Sequence, residues 1–219
     1  MRRFRLTPLR LAAAVVAGSV ACTGVAYAAS LGIASSGLYA WSQALTKGSC
    51  NQTSTTESDT FVQQSNGTKT NAGQQQLSIT GGTTGQQFAF IRFDLSGCSL
   101  PTTAGADSAV LTLYVTNAKS HTISFYPVYS SWSPATLNWN GVSGLTIAAT
   151  ATASFTPTTN NTAYTIPVTG DVDAAIKAGT LWGWELKDTT SGGAQTTQIA
   201  GAAISQAAER PSMTLSYEK

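Results

Sequence analysis

The clearest hydrophobic pattern of the chain lies at residues 88–98, whose sequence is FAFIRFDLSGC. Successive side chains point to opposite faces of a β-strand, so one face of this segment is entirely apolar. That face consists of Ala89, Ile91, Phe93 and Leu95. The segment therefore predicts a strand that lies on a hydrophobic core.

Further short segments repeat this two-residue period and are separated by turn residues. They cover 60–63, 76–80, 109–115, 123–128, 164–168, 182–186 and 213–217. A change of phase beside Pro127 predicts a bulge or an edge position there. Many short strands with turns between them are typical of an all-β sandwich or barrel. Because they form one continuous series, we expect a single domain.

One short helix interrupts the strand pattern. Thr169 can cap it, Asp171 and Asp173 occupy its first turn, and Lys177 occupies its last turn before Gly179. Its apolar side chains, Val172 and Ile176, are four residues apart and would pack on the sandwich.

The N-terminus has the pattern of an export signal, with arginines, an apolar segment from Leu11 to Val25 and the small-residue cleavage site Ala26-Tyr27-Ala28. We therefore expect a signal peptide at 1–28, an arm and Thr/Ser-rich linker at 29–58, and the β-sandwich domain at 59–219. Asn51–Ser58 is the linker and should be exposed. An uncleaved anchor over Leu11–Ala34 is the alternative. The cleaved product is expected to be extracellular, without stable membrane insertion.

The charge of the chain depends on this leader. The formal net charge is +2, and loss of the leader's four arginines makes it −2. A mature chain with this charge lacks the basic stripe of a nucleic-acid-binding protein. Two cysteines, Cys50 and Cys98, remain after cleavage, which predicts a disulfide in an exported protein. A reactive thiol pair is the alternative, although neither a Cys-x-x-Cys motif nor a neighbouring histidine supports it.

Candidate catalytic side chains are scarce. His121 is the sole histidine, and its sequence context predicts an exposed turn. Paired carboxylates could support glycan hydrolysis, but the acids of this chain have structural explanations, so we do not expect an enzyme. Asp59, Asp171 and Asp173 are weak candidates for a structural calcium site. Because helix capping explains two of these aspartates more simply, no cofactor is predicted.

Short motifs in a fixed order carry a family resemblance. They are DTFV at 59–62, IRFDLS at 91–96, DVD at 171–173, GWEL at 183–186 and ERPSMTLSY at 209–217. This set resembles the secreted DNRLRE-type domain, which is grouped with carbohydrate-binding module family 96. The resemblance implies a jelly-roll-like β-sandwich and extracellular carbohydrate binding. The eight Lys and Arg residues of the mature chain are scattered, which favours neutral over acidic glycans.

Aromatic residues are the remaining candidates for ligand contact. In the family's pattern, Trp132 and Trp139 look like core residues, one in each packing layer, and Trp184 looks like a third. Trp182 shares a predicted strand face with Trp184, and we expect Tyr114 and Arg92 on the outer faces of adjacent strands. The predicted ligand-binding residues are Trp182, Tyr114, Arg92 and Asn138.

The sequence therefore predicts a secreted, monomeric, non-catalytic module that binds a polysaccharide or a cell-wall glycan. The alternative is an extracellular structural or adhesive β-sandwich that binds no sugar. A glycan-active hydrolase or lyase is the third hypothesis.

Overall fold

A computed structural model describes residues 47–53, 57–98, 100, 105–178, 181–190 and 195–218. Within these ranges the chain forms eleven β-strands and two α-helices. The strands are β1 (Lys47–Gln52), β2 (Glu57–Gln63), β3 (Gln76–Thr80), β4 (Gln87–Phe93), β5 (Ala106–Asn117), β6 (Ile123–Pro127), β7 (Ala153–Phe155), β8 (Thr162–Pro167), β9 (Trp184–Asp188), β10 (Thr196–Ala200) and β11 (Ser212–Glu218). The helices are α1 (Trp139–Val142) and α2 (Thr169–Ala178). The predicted signal peptide and residues 29–46 lie outside the described residues.

The strands pair in an antiparallel manner throughout and form one curled sheet. Its order is β1-β11-β5-β10-β3-β4-β9-β6-β7, with β2 added to β4 and β8 added to β5. β4 and β5 thus each pair with three strands, and the sheet curls into the two layers of a sandwich. The all-β sandwich predicted from the two-residue period is confirmed.

The main core lies between these layers and consists of the inward side chains of the alternating strands. Fully buried examples are Ile79, Ile91, Leu111, Ile166 and Leu186. The strand predicted at residues 88–98 is confirmed but ends at Phe93, and its side chains Ala89 and Ile91 are fully buried. At about 25 cal/mol per Å² of apolar surface, this burial is the main stabilising contribution to the fold.

A second cluster, the outer cluster, covers the opposite face of β4. Its buried members are Val62, Phe90, Val128, Trp132 and Leu137. The segment that follows β6 folds over the sheet and supplies Val128, Trp132 and Leu137. Trp132 is therefore a core residue, as predicted. Trp139 is partly buried in the same cluster, so the two tryptophans do not lie in separate packing layers.

Helix α2 follows the prediction closely. It begins at Thr169, has Asp171 in its first turn and Lys177 in its last, and buries Val172 completely. The backbone N–H of Ala109 donates a 3.0 Å hydrogen bond to the Thr169 hydroxyl, which ties the start of α2 to β5. The four-residue helix α1 was not predicted, and Asn138 caps it.

The exposure predicted for Asn51–Ser58 was wrong at two positions, because Gln52 and Glu57 are buried. Gln52 belongs to β1, which pairs with β11 along all six of its residues. The polar sequence KGSCNQ has no alternating apolar pattern from which this strand could be predicted. The strand is stabilised by pairing rather than by an apolar face. The predicted disulfide between Cys50 and Cys98 is confirmed and ties β1 to the 3₁₀ turn after β4.

Candidate functional site

Trp182 and Trp184 lie in different environments, one exposed and one buried. Trp184 begins β9 and is buried in the main core, whereas Trp182 precedes the strand and remains 38% exposed. Gly183 separates them with a φ of +95°, a conformation that L side chains rarely adopt. A Cβ atom at this position would also collide with the carbonyl oxygen of Ile91. The shared strand face predicted for the two tryptophans was therefore wrong, because the chain turns at Gly183.

Arg92 connects the exposed ring of Trp182 to the buried ring of Trp132. Its guanidinium carbon lies 5.4 Å from the ring centroid of Trp182 and 5.5 Å from that of Trp132. The indole N–H of Trp132 donates a 2.6 Å hydrogen bond to the backbone carbonyl of Trp182. Each cation–π contact contributes about 0.5–1 kcal/mol. The three residues therefore hold the Trp182 ring in a defined position at the surface.

Tyr129 is a second exposed aromatic residue, which the sequence pattern did not predict as part of a site. It is 45% exposed. Among the described residues, Tyr129 and Trp182 are the two exposed large hydrophobic side chains. Two backbone hydrogen bonds join their segments, from Trp182 N to Val128 O at 2.7 Å and from Val128 N to Gly183 O at 2.9 Å. The phase change beside Pro127 was the one sequence signal near this position. We call Trp182, Tyr129 and Arg92 together the Trp182 surface.

Two adjoining cavities border this surface. The larger, of about 440 Å³, lies between α2, the end of β4 and residues 181–184. Arg92 and Trp182 both line it, so the structure brings two of the four predicted ligand residues together. The smaller cavity, of about 260 Å³, is lined by Tyr129 and shares Ala175 and Leu181 with the larger one.

The other two predicted ligand residues lie elsewhere. Tyr114 is half-buried on β5, and β10 and β3 separate β5 from the strand of Arg92 in the sheet. The predicted adjacency of the Tyr114 and Arg92 strands was therefore wrong. The Asn138 side chain accepts a 3.0 Å hydrogen bond from the backbone N–H of Gly141, so it caps α1.

Each of the three calcium candidates already has a hydrogen-bond donor from the protein. Asp59 accepts a 2.6 Å hydrogen bond from Ala202 N, and Asp171 accepts one of 2.7 Å from the indole N–H of Trp184. Asp173 pairs with Lys177 at 2.6 Å, which lowers the pKa of its carboxyl. In the part of the chain that the structure describes, no three His, Cys, Asp or Glu side chains gather into a group that could hold a metal.

Two buried acids face the interior of the sandwich. Glu57 and Asp59 lie opposite Phe93 and Ile91 in the β2–β4 pairing, and thus on the core side of β2. Burial, together with the nearby charge of Asp59, raises the pKa of Glu57 from 4.5 to about 10. Burial also raises the pKa of Asp59. Neither acid lines the cavity beside Trp182.

His121 is paired with the buried Asp188. The Nδ1 atom of His121 lies 2.6 Å from Oδ2 of Asp188, and the two side chains are 11% and 0% exposed. The exposed turn position predicted for His121 was therefore wrong. Asp188 lies at the end of β9, where its carboxylate also accepts a 2.9 Å hydrogen bond from Thr190 N. The pair thus fastens the turn before β6 to the end of β9.

The protein is an all-β sandwich in which the Trp182 ring is exposed beside a cavity. The chain belongs to carbohydrate-binding module family 96, whose model matches residues 51–217. The predicted resemblance to carbohydrate-binding module family 96 is thereby confirmed, and membership indicates a carbohydrate-binding domain. No curated protein matches the sequence.

The Cys50–Cys98 disulfide and the family are both consistent with an extracellular protein. None of the helices in the described ranges has the length and apolar character needed to cross a bilayer.

Proposed function

We propose that this chain is a secreted, non-catalytic carbohydrate-binding protein that binds a polysaccharide at the Trp182 surface. The observation that carries the proposal is the exposed indole of Trp182, whose ring Arg92 contacts while also contacting the buried Trp132. A large aromatic ring fixed at the surface of a family 96 module is suited to stacking on the apolar face of a sugar ring.

The fixed position of the Trp182 ring favours binding because less conformational freedom is lost when the ligand arrives. Tyr129 extends the surface with a second exposed ring on a hydrogen-bonded neighbouring segment. Arg92 supplies N–H donors for the oxygen atoms of a sugar. The net charge of −2 expected after loss of the leader favours neutral over acidic polysaccharides.

Binding of the purified mature chain to a panel of polysaccharides tests this proposal. Cellulose, xylan, chitin, starch and pectin should be compared by pull-down, followed by calorimetry with the soluble members. We expect measurable binding to at least one neutral polysaccharide, and Trp182→Ala should weaken it by about tenfold or more, since that change removes about 1.4 kcal/mol or more of stacking. Tyr129→Ala should have a smaller effect in the same direction.

Tyr114→Ala is the matched control, because Tyr114 is a half-exposed aromatic residue on a strand distant in the sheet order from that of Arg92. It should leave affinity unchanged, and melting temperatures should show that all variants are folded. Loss of binding with Tyr114→Ala and not with Trp182→Ala would overturn the assignment of the site. Failure to bind any member of the panel would favour the structural or adhesive alternative.

A further inference from the structure

The larger cavity beside Trp182 has an apolar wall. Its apolar side chains include Phe93, Leu95, Leu100, Ile176, Leu181 and Met213. Arg92 and Asp94 are the charged side chains among the described residues that line it. At about 440 Å³ the cavity falls within the roughly 300–1,000 Å³ range of small-molecule sites.

An unsubstituted sugar ring fits this wall poorly. Each hydroxyl that enters an apolar environment without a hydrogen-bond partner costs about 1–3 kcal/mol. A sugar ring carries several hydroxyls, and the cavity offers few partners for them. A sugar stacked on the exposed face of Trp182 would therefore stay outside, with an apolar substituent directed into the cavity that the same tryptophan lines.

Arg92 lines the cavity and contacts the Trp182 ring, so it can reach the polar part of such a substituent. It contacts the rings of Trp132 and Trp182 and donates no hydrogen bond to the described residues. The carboxylate of the neighbouring Asp94 instead accepts a 2.9 Å hydrogen bond from Ser96 N. The guanidinium of Arg92 therefore has N–H groups to which no described residue offers an acceptor, and these groups can donate to an ester carbonyl at the cavity.

We propose that the Trp182 surface prefers polysaccharides that carry hydrophobic acyl esters, aromatic or aliphatic and larger than acetyl. The sugar ring stacks on Trp182, the ester carbonyl accepts from Arg92, and the acyl group occupies the apolar cavity. This inference rests on the proposed function, since it specifies the ligand of the same surface.

Xylan and starch, each unmodified and acetylated, benzoylated or hexanoylated to the same low degree, provide the test. Calorimetry should show binding of the benzoylated or hexanoylated polymer about tenfold tighter or more than binding of the unmodified one, because burial of two or more methylene equivalents suffices for that factor. Acetylation should give a smaller gain. Equal affinity for the acylated and unmodified polymers would overturn the inference while leaving the proposed function in place.

Two neighbouring substitutions in α2 provide a matched pair. Ala175 lines the larger cavity, whereas Ala174 lines only the smaller one, and leucine is a good helix former at both positions. Ala175→Leu should remove the preference for acylated polymer without reducing affinity for the unmodified polymer, whereas Ala174→Leu should retain the preference. A preference that survives Ala175→Leu would contradict the cavity as the acyl site. Absence of binding to every polymer would overturn the proposed function and this inference together.

Discussion

Arg92 holds its guanidinium carbon 5.4 Å from the ring centroid of Trp182, on the face of β4 that points away from the main core. The same guanidinium lies 5.5 Å from Trp132, which is 6% exposed in the outer cluster. The orientation of the exposed ring is therefore coupled to a buried one. The outer cluster thus stabilises the candidate binding surface as well as the fold.

Replacement of Arg92 by lysine tests this coupling. Lysine keeps the charge but lacks the planar guanidinium that stacks on indole rings. We expect Arg92→Lys to weaken polysaccharide binding about three- to fivefold, which corresponds to the loss of about 0.6–1 kcal/mol of cation–π interaction. Calorimetry measures the effect, and Lys177→Arg on the exposed side of α2 is the control. Unchanged affinity at an unchanged melting temperature would contradict the positioning role of Arg92.

The buried Glu57 gives the fold a predictable dependence on pH. Its pKa of about 10 means that the folded state keeps the proton, whereas the unfolded state loses it near pH 4.5. Between these values the unfolded state binds fewer protons, so the free energy of unfolding falls as pH rises, by at most about 1.4 kcal/mol per pH unit. Glu57→Gln should match the wild type below about pH 4.5 and be about 1–3 kcal/mol more stable at pH 7.

Urea denaturation at pH 4, 5.5, 7 and 8 measures this difference. Asp94→Asn is the control, and its effect on stability should have the opposite dependence on pH. The hydrogen bond from Ser96 N lowers the pKa of the exposed Asp94 carboxyl. The stabilisation from Asp94 is present above its ordinary pKa and lost as pH falls through its folded pKa. Asp94→Asn should therefore destabilise the protein slightly at pH 7 and have less effect at pH 4. A Glu57→Gln variant whose stability follows pH as steeply as the wild type would refute the assignment.

His121→Ala is expected to destabilise the fold. The substitution leaves the fully buried carboxylate of Asp188 without its 2.6 Å partner, and a lost hydrogen bond to a buried charged group costs about 2–3 kcal/mol. Thermal and urea denaturation at pH 7 measure the loss. The double variant His121→Ala/Asp188→Asn should recover part of it, because the unpaired charge is then absent. A loss of less than about 0.5 kcal/mol, the size of an ordinary surface substitution, would show that the pair is not structural.

Asp171→Ala should also destabilise the protein, since the indole N–H of the buried Trp184 donates to Asp171 at 2.7 Å. An unsatisfied buried donor costs about 1–3 kcal/mol, and we expect a change of that size in urea denaturation. Asp173→Asn, two residues further along α2, is the matched control. It keeps an acceptor for Ala106 N and loses only an exposed ion pair with Lys177, so its effect should be smaller. Equal effects of the two substitutions would argue against the Trp184 contact as the cause.

The strands with strong alternation could be predicted from the sequence. Apolar residues at every second position lie on one face only if the segment is a β-strand, and that face can then be buried. Residues 76–80 form β3 at the predicted bounds, and α2 begins at the predicted Thr169. The polar strand β1, the three-residue strand β7 and the strand β10 were missed. Pairing with neighbouring strands stabilises them, and the local sequence carries no signal of it.

The candidate site was predictable only in part. Arg92 and Trp182 were both identified, but their contact depends on the turn at Gly183, whose backbone conformation a two-residue period does not reveal. Tyr129 lies just beyond the end of β6, where alternation has already stopped. The buried Glu57 was hidden for a different reason, because a charged residue type predicts exposure unless its surroundings are known.

The Cys50–Cys98 disulfide has a practical consequence for work with this protein. Cys98 ends the turn that follows Asp94 and Leu95, and both of these residues border the larger cavity. Dithiothreitol in a purification buffer would release the end of β4 from β1 and loosen the wall of that cavity. Recombinant material from an oxidising compartment, kept free of reductant, is therefore the appropriate sample for any affinity measurement.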